Sequence, residues 1–296
     1  MMRYVVRPED TLYSIASRFR IPLDSLLQAN PYCSPWNMRP GMPVLIPDSA
    51  YRNAVYDILG SSDKISKAEM NNIIEGRKYI VRLAKKYPDE IYVNGPAGEK
   101  NVSLTFDDGP DGSVTPRILD ILKDNKIKVS FFFVGTQINY FPGMVRRAYD
   151  EGHLVLNHTW DHPYLTKKDA GEIRREITLT ENRIQSITGR KPALVRPPYG
   201  AADEKVIAAI SGTNNRAIMW SIDSMDWVPK ADKQTILKNI LDNVRPGDIV
   251  LLHSSVGHGT DAEALQELIN GLKGKGYKIV DLEAMLKIKP YKPFNA

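Results

Sequence analysis

Between residues 98 and 290, short apolar runs alternate with stretches of helical period, and nearly every run ends in a cluster of ionisable residues. Val102–Phe106, Ser130–Val134, Leu154–Asn157, Ala217–Trp220 and Ile249–Leu252 have the length and the β-branched or aromatic content of buried strands. Pro116–Asp124, Ala170–Ile187, Asp203–Ile210 and Asp261–Lys273 carry helical patterns between them. Strands that alternate with helices form parallel βα units, and this many units predict an α/β fold of the distorted (β/α) barrel type. Such a barrel gathers the residues just past each strand at one end, where its chemistry is expected.

The segments at those positions are specific. Val102–Phe106 runs into Asp107-Asp108-Gly109-Pro110, and Leu154–Asn157 into His158-Thr159-Trp160-Asp161-His162-Pro163. Leu194-Val195 leads to Arg196-Pro197-Pro198-Tyr199-Gly200, Ala217–Trp220 to Asp223-Ser224-Met225-Asp226-Trp227, and Ile249–Leu252 to His253. Each alone has a plain structural reading, a turn for Asp-Asp-Gly-Pro or a loop for Arg-Pro-Pro-Tyr. Together they are harder to dismiss, because the chain has five histidines and three fall inside these segments. His153 and His258 read as structural or surface residues. The single cysteine, Cys33, excludes an intrachain disulfide and thiolate metal sites, so any metal must be held by His and carboxylates.

Residues 1–48 form a separate small unit. Arg3–Val6 reads as a strand, Asp10 or Thr11 as a helix cap, and Leu12, Ile15, Ala16 and Phe19 as the stripe of an amphipathic helix. A second short helix fits Leu23–Gln28, ending near Asn30-Pro31, and Pro43–Ile46 closes the unit as a strand. This βααβ pattern, YVVRPEDTLYSIASRFRIPLDSLLQANP followed by RPGMPVLIP, resembles the LysM module, which binds glycans containing N-acetylglucosamine. The resemblance places glycan contacts in the backbone around Glu9, Asp10, Thr11 and Leu12 and at Asn30 and Pro31. Glu9 stands where the family usually has Gly, and Tyr32–Trp36 is a long aromatic loop.

Residues 49–97 read as a helical connector. Ile73, Ile74, Ile80, Val81 and Ala84 mark one face of a helix from Ser66 to Lys86 that stops at Tyr87-Pro88. The 40 Lys and Arg exceed the 35 Asp and Glu only mildly and form no dense basic run, so no nucleic-acid partner is expected. No stretch reaches the ~18 apolar residues of a membrane span. No signal peptide is legible, because a strand and a helix cap already occupy the first residues.

The third region, 98–296, closely resembles the NodB-type polysaccharide deacetylases of carbohydrate esterase family 4. FDDGP, NHTWDHPYLT, RPPYG, SIDSMDWV and IVLLH stand in that family's order, and none is missing. The resemblance implies that Asp108, His158 and His162 hold one divalent metal ion: zinc by default, with cobalt, nickel or iron also fitting an open site. It implies Asp107 as general base, kept ionised by Arg196, and His253 as general acid, oriented by Asp226. It places an oxyanion-binding backbone N–H at Tyr199, and Trp227 and Leu251 as walls around His253. Trp160 and Tyr164 are candidate sugar-stacking surfaces, and Asp223 fits the motif with no assigned role. The expected function is deacetylation of N-acetylglucosamine or a related sugar in peptidoglycan or chitin oligosaccharides, by a monomer at a cell wall, spore or extracellular surface. The alternatives are an O-acetyl xylan esterase and an inactive wall-binding protein.

Overall fold

The computed structural model describes residues 2–19, 26–27, 29–34, 37–46, 55–257 and 259–293. In the N-terminal unit β1 (Met2–Val5) pairs antiparallel with β2 (Pro43–Ile46), Met2 opposite Ile46. Between them α1 (Leu12–Arg18) starts at Thr11, whose hydroxyl accepts the Ser14 N–H at 2.9 Å. Leu12, Ile15 and Ala16 turn inward onto Val6, Leu26, Val44 and Ile46, a small core of their own. Leu26, Leu27 and Ala29 are helical, whereas Leu23–Ser25 and Gln28 of the expected second helix lie outside the described residues, as do Pro35 and Trp36 of the aromatic loop.

The segment expected as a connector is more than that. α2 (Lys67–Lys86) opens on a full capping box, Ser66 with Glu69. Ile80, Val81, Leu83 and Ala84 pack into the large core, and β3 (Ile91–Tyr92) pairs with a strand of the main sheet. Residues 55–97 are therefore built into the same body as the barrel. The apolar stripe also differs from the expected one: Ile74 is exposed and Ile73 half-buried, while Arg77 is buried. A buried guanidinium needs a partner, and Arg77 has one in the barrel, described below.

The main sheet adds β4 (Asn101–Asp107), β5 (Ser130–Phe133), β6 (Leu154–Asn157), β7 (Leu194–Val195), β8 (Arg216–Ile218), β9 (Ile222–Asp223), β10 (Ile249–His253) and β11 (Lys278–Ile279). Its order is β3-β8-β7-β6-β5-β4-β10-β9, with β11 beside β4. Every pairing in it is parallel. β3 and β9 are the two ends of the path, so the sheet curls as an open, distorted barrel. Around it lie α3 (Val114–Asp124), α4 (Gly135–Tyr140), α5 (Pro142–Asp150), α6 (Ala170–Thr188), α7 (Glu204–Ser211), α8 (Lys233–Leu241), α9 (Gly259–Gly274) and α10 (Leu282–Leu286).

Strand β4 shows how this fold builds a site. Val102, Leu104 and Phe106 point outward to the helices and join a core with Ile118, Leu119 and Leu268. Ser103, Thr105 and Asp107 alternate with them and so face the other side of the sheet. An inward row of buried polar side chains is costly unless each finds a partner. Arg196 supplies one for the last two of them.

Candidate active site

Arg196 follows β7 and lies fully buried across the inside of the sheet. One terminal nitrogen donates to Thr105 Oγ1 and to Asp107 Oδ1, both at 2.8 Å. Its Nε and other terminal nitrogen donate to the carbonyls of Ile218 and Met219 at 3.1 and 3.0 Å. The guanidinium lies 4.2 Å from the Phe132 ring centroid. Asp107, last residue of β4, is thereby fixed in a buried position with Oδ1 engaged. Its Oδ2 lies 3.6 Å from His158 Nε2.

Asp108 is the first residue past the strand and has a left-handed backbone, φ 69°. That turn swings its carboxylate round to meet the imidazoles that follow β6. Asp108 Oδ1 is 3.4 Å from His158 Nε2 and 3.2 Å from His162 Nε2. It is buried and accepts no regular hydrogen bond. Burial raises its pKa, but the His158 and His162 side chains outweigh this and hold it well below the usual carboxylate range. His158 Nδ1 donates to the Arg196 carbonyl at 2.8 Å, which fixes the ring with Nε2 turned toward Asp108. An orphaned carboxylate oxygen facing two imidazole nitrogens, all within 4.8 Å of one another, fits a divalent cation.

His162, Thr159, Tyr199 and Met225 are also non-glycine residues with φ between 60° and 66°. With Asp108 they make five left-handed positions, all in the strand-end loops. Each such position costs on the order of 1–3 kcal/mol, and the cost concentrates where side chains must be aimed rather than packed.

His253 ends β10, across the cleft. Its Nδ1 meets both carboxylate oxygens of Asp226, at 2.9 and 2.7 Å. Burial alone lowers the imidazole pKa, but Asp226, helped by Asp108 and Asp107, pushes it up to about 10. One residue in this cluster had no signal in the sequence. Asp261, in the first turn of α9, is 1% exposed, and its Oδ2 accepts the His253 backbone N–H at 2.9 Å. Burial raises its carboxyl pKa well above normal, and the neighbouring Asp226 raises it further. An Asp in a first helical turn reads as a dipole or cap residue, which hides this placement.

Asp223 acquires a structural place. Its Oδ2 takes Arg77 of α2 at 2.8 Å, and its Oδ1 takes the Met225 N–H at 2.9 Å and Trp227 Nε1 at 3.1 Å. Tyr164 stacks on Tyr199 with centroids 3.9 Å apart, and Tyr199 also edges onto His162. Tyr199, Trp227 and Leu251 all line a cleft of about 750 Å³ that holds Asp107, Asp108, His158, His162 and His253. Trp160 does not line it. The half-buried indole packs against Gly135, where an added Cβ would lie 2.3 Å from its ring, so Trp160 braces the start of α4.

In the N-terminal unit, Leu12 is in the core and Asn30 is fully buried. The Asn30 amide bridges the Leu26 and Leu45 carbonyls and the Leu45 N–H, at 2.8, 2.6 and 2.7 Å. Asp10 accepts from Tyr4 Oη at 2.5 Å and the Arg7 N–H at 2.8 Å, and pairs with Arg18. Their side chains are thus occupied, as is the Thr11 hydroxyl by the Ser14 N–H, so among these expected contact residues backbone and Pro31 remain to face a ligand. His153 is buried and accepts the Val129 N–H, with its pKa lowered by burial to about 4, a structural residue as expected. His258 lies outside the described residues.

Fold and site together define a (β/α)-barrel hydrolase with a His, His, Asp centre at the strand ends. Comparison with known proteins agrees. The polysaccharide deacetylase family model matches residues 94–218, and the LysM domain model matches residues 4–47. A peptidoglycan-N-acetylglucosamine deacetylase of Bacillus cereus is 39% identical over 66% of this chain and 71% of its own length. The Listeria monocytogenes enzyme of the same name is also 39% identical, over 63% of this chain, but the match spans only 39% of that longer protein. The crystal structure of the Bc1960 peptidoglycan N-acetylglucosamine deacetylase superposes with a TM-score of 0.66 at 37% identity, covering 68% of this chain and 95% of that one. The chain belongs to the polysaccharide deacetylase family and carries a LysM domain at its N-terminal end.

Proposed function

We propose that the protein is a metal-dependent hydrolase that removes the acetyl group from N-acetylglucosamine, or a related N-acetyl sugar, in a cell-wall polysaccharide. Peptidoglycan is the first candidate, because relatives with that substrate in their names match along most of the barrel. Chitin oligosaccharides come second, since a chitooligosaccharide deacetylase of Bradyrhizobium is 36% identical. The observation that carries the reading is the facing arrangement in one cleft: Asp108, His158 and His162 on one side, His253 with Asp226 on the other, and Asp107 between Arg196 and the imidazoles.

Asp108, His158 and His162 would hold one divalent ion, zinc by the chemistry of the donor set. When bound, such an ion supplies Lewis acidity to water and to the acetyl oxygen. Asp107 removes the proton of the attacking water, and Arg196 pairs with it and aims it. The backbone N–H at Tyr199 receives the developing oxyanion. An amine leaves only when protonated, and His253 donates that proton, held charged and oriented by Asp226. Trp227 and Leu251 exclude water around the imidazole.

The LysM unit, about residues 1–48, would hold the enzyme on its polymer and raise the local concentration of acetylated sugars. The same unit argues against an O-acetyl xylan esterase, whose substrate has no N-acetyl group for it to bind. A monomer at the wall or spore surface, or outside the cell, suits these parts. Among the described residues no helix is long and apolar enough to cross a membrane. Metal stoichiometry together with acetate release from peptidoglycan fragments, chitin oligomers and acetylated xylan tests the reading. Full metal occupancy with no acetate from any of them would favour a wall-binding protein.

A further inference from the structure

One wall of the cleft comes from no strand-end loop. Asn72, Ile73 and Gly76 of α2 line the same space as Asp107, Asp108 and His253. All three lie outside the residues matched by the family model, 94–218. Gly76 follows Asn72 by four positions and Ile73 by three, which puts the three on one face of the helix. The helix is fastened there by Arg77, whose terminal nitrogens donate to Asp223 Oδ2 at 2.8 Å and to the Gly60 carbonyl at 2.6 Å. The same Asp223 holds the indole of Trp227, so one carboxylate ties the α2 wall to the aromatic side of the cleft.

The chemistry of this wall limits what can lie on it. Arg77 is 8% exposed and committed to its partners, and it is the one guanidinium or ammonium group among the described residues lining the cleft. What remains is an exposed carboxamide, a half-buried branched aliphatic side chain and a stretch of bare backbone. A Cβ added at Gly76 would meet nothing within 4 Å, so the space over it is open. Carboxamide and aliphatic groups side by side suit a pyranose, which shows hydroxyls at its edge and C–H groups on its faces. They offer no positive charge to a peptide carboxylate. The cleft, at about 750 Å³, has room for more than the one sugar that reacts.

We propose that the Asn72–Ile73–Gly76 face of α2 is a subsite for an uncharged sugar adjoining the one that loses its acetyl group. The assignment rests on the deacetylase reading above. It makes α2 the element through which the enzyme senses chain length, while a small acetyl ester reacts without touching it.

The test uses the full chain loaded with zinc and compares kcat/KM on N-acetylglucosamine oligomers of increasing length with kcat/KM on a small aryl acetate. Gly76→Phe fills the open space and should lower the ratio of oligomer to aryl acetate at least tenfold. Asn72→Ala removes one neutral hydrogen bond and should lower it about three- to tenfold. Lys78→Ala, on the solvent side of the same helix where Lys78 pairs with Glu75, should leave the ratio unchanged. Thermal unfolding shows whether Gly76→Phe is folded, and if it is not, Asn72→Ala decides. Unmodified ratios at every length in the folded variants overturn the subsite. An unsubstituted enzyme that cleaves the aryl acetate but no oligomer overturns the deacetylase reading itself, and the subsite with it.

Discussion

Asp226 grips Nδ1 of His253 with both carboxylate oxygens, at 2.7 and 2.9 Å, and so leaves Nε2 for the cleft. The bond sets tautomer, direction and charge at once. With its pKa near 10 the imidazole is a proton donor across the neutral range, and a bound cation nearby brings that value down. The sign is fixed: the acid is present at low pH and lost as pH rises through the native pKa. Asp226→Asn should therefore shift the alkaline limb of the rate profile to lower pH, toward the ordinary imidazole value of about 6.5. A limb that stays in place in the variant would mean Asp226 does not set the proton on His253. The same shift contributes to stability below about pH 6.5 and is lost as pH rises through about 10, which urea unfolding of the metal-free protein across that range can follow.

The Arg196–Asp107 pair makes a different prediction. Both side chains are buried, at 0% and 4% exposure, and each is the other's counter-charge. Replacing one partner leaves an uncompensated charge in the core, which typically costs about 3–5 kcal/mol. Arg196→Leu should lose stability of that order by chemical denaturation, along with activity. A loss under about 1 kcal/mol would show that Asp107 finds water or changes protonation instead.

How much of this was legible in the chain follows from what each residue answers to. Asp107, Asp108, His158, His162, Arg196 and His253 were visible because each follows a strand long enough, or a motif distinct enough, to mark a strand end. β3, β9 and β11 span two residues each, too few to show a period, and their register depends on neighbours distant in sequence. Asp261 and Arg77 looked like ordinary helix residues, since nothing local says that Asp226 or Asp223 will face them. Ile74 and Arg77 changed places for the same reason: a buried ion pair outweighed the apolar stripe. The motif around Trp160 gives no sign that Gly135 opens a slot for one edge of its ring.

Metal removal has a specific readout. His158→Ala or His162→Ala leaves two protein ligands, and both variants should lose bound metal and acetate release together. Elemental analysis after dialysis checks the first, and the rise in Tm expected on adding zinc to the unsubstituted protein should be absent in the variants. A variant with full occupancy and normal turnover would take that histidine out of the centre.

The N-terminal unit has its own core, separate from those of the barrel. Deleting residues 1–48 should leave turnover on short soluble oligomers within about twofold. Retention on insoluble peptidoglycan or chitin should fall, because tethering and not chemistry is lost. Equal retention of both forms would show that this LysM unit, with Glu9 in its first loop, does not hold glycan.

The assignment of His253 as acid can be separated from a packing role by changing the leaving group. An amide nitrogen departs only after gaining a proton, whereas a phenolate with a low pKa departs without one. General acid catalysis is worth about 10²–10⁴ where the proton is needed. His253→Ala should therefore cost at least about 100-fold on the N-acetyl sugar and clearly less on an aryl acetate. If the imidazole only fills space beside Leu251 and Trp227, its removal disturbs the cleft for both substrates alike. Asp107→Asn is the internal control, since a general base acts on the water in either reaction and its loss should be felt equally on both. Equal losses for His253→Ala on amide and ester would remove it from the proton-transfer step, and unequal losses in the order given would place its proton on the departing nitrogen.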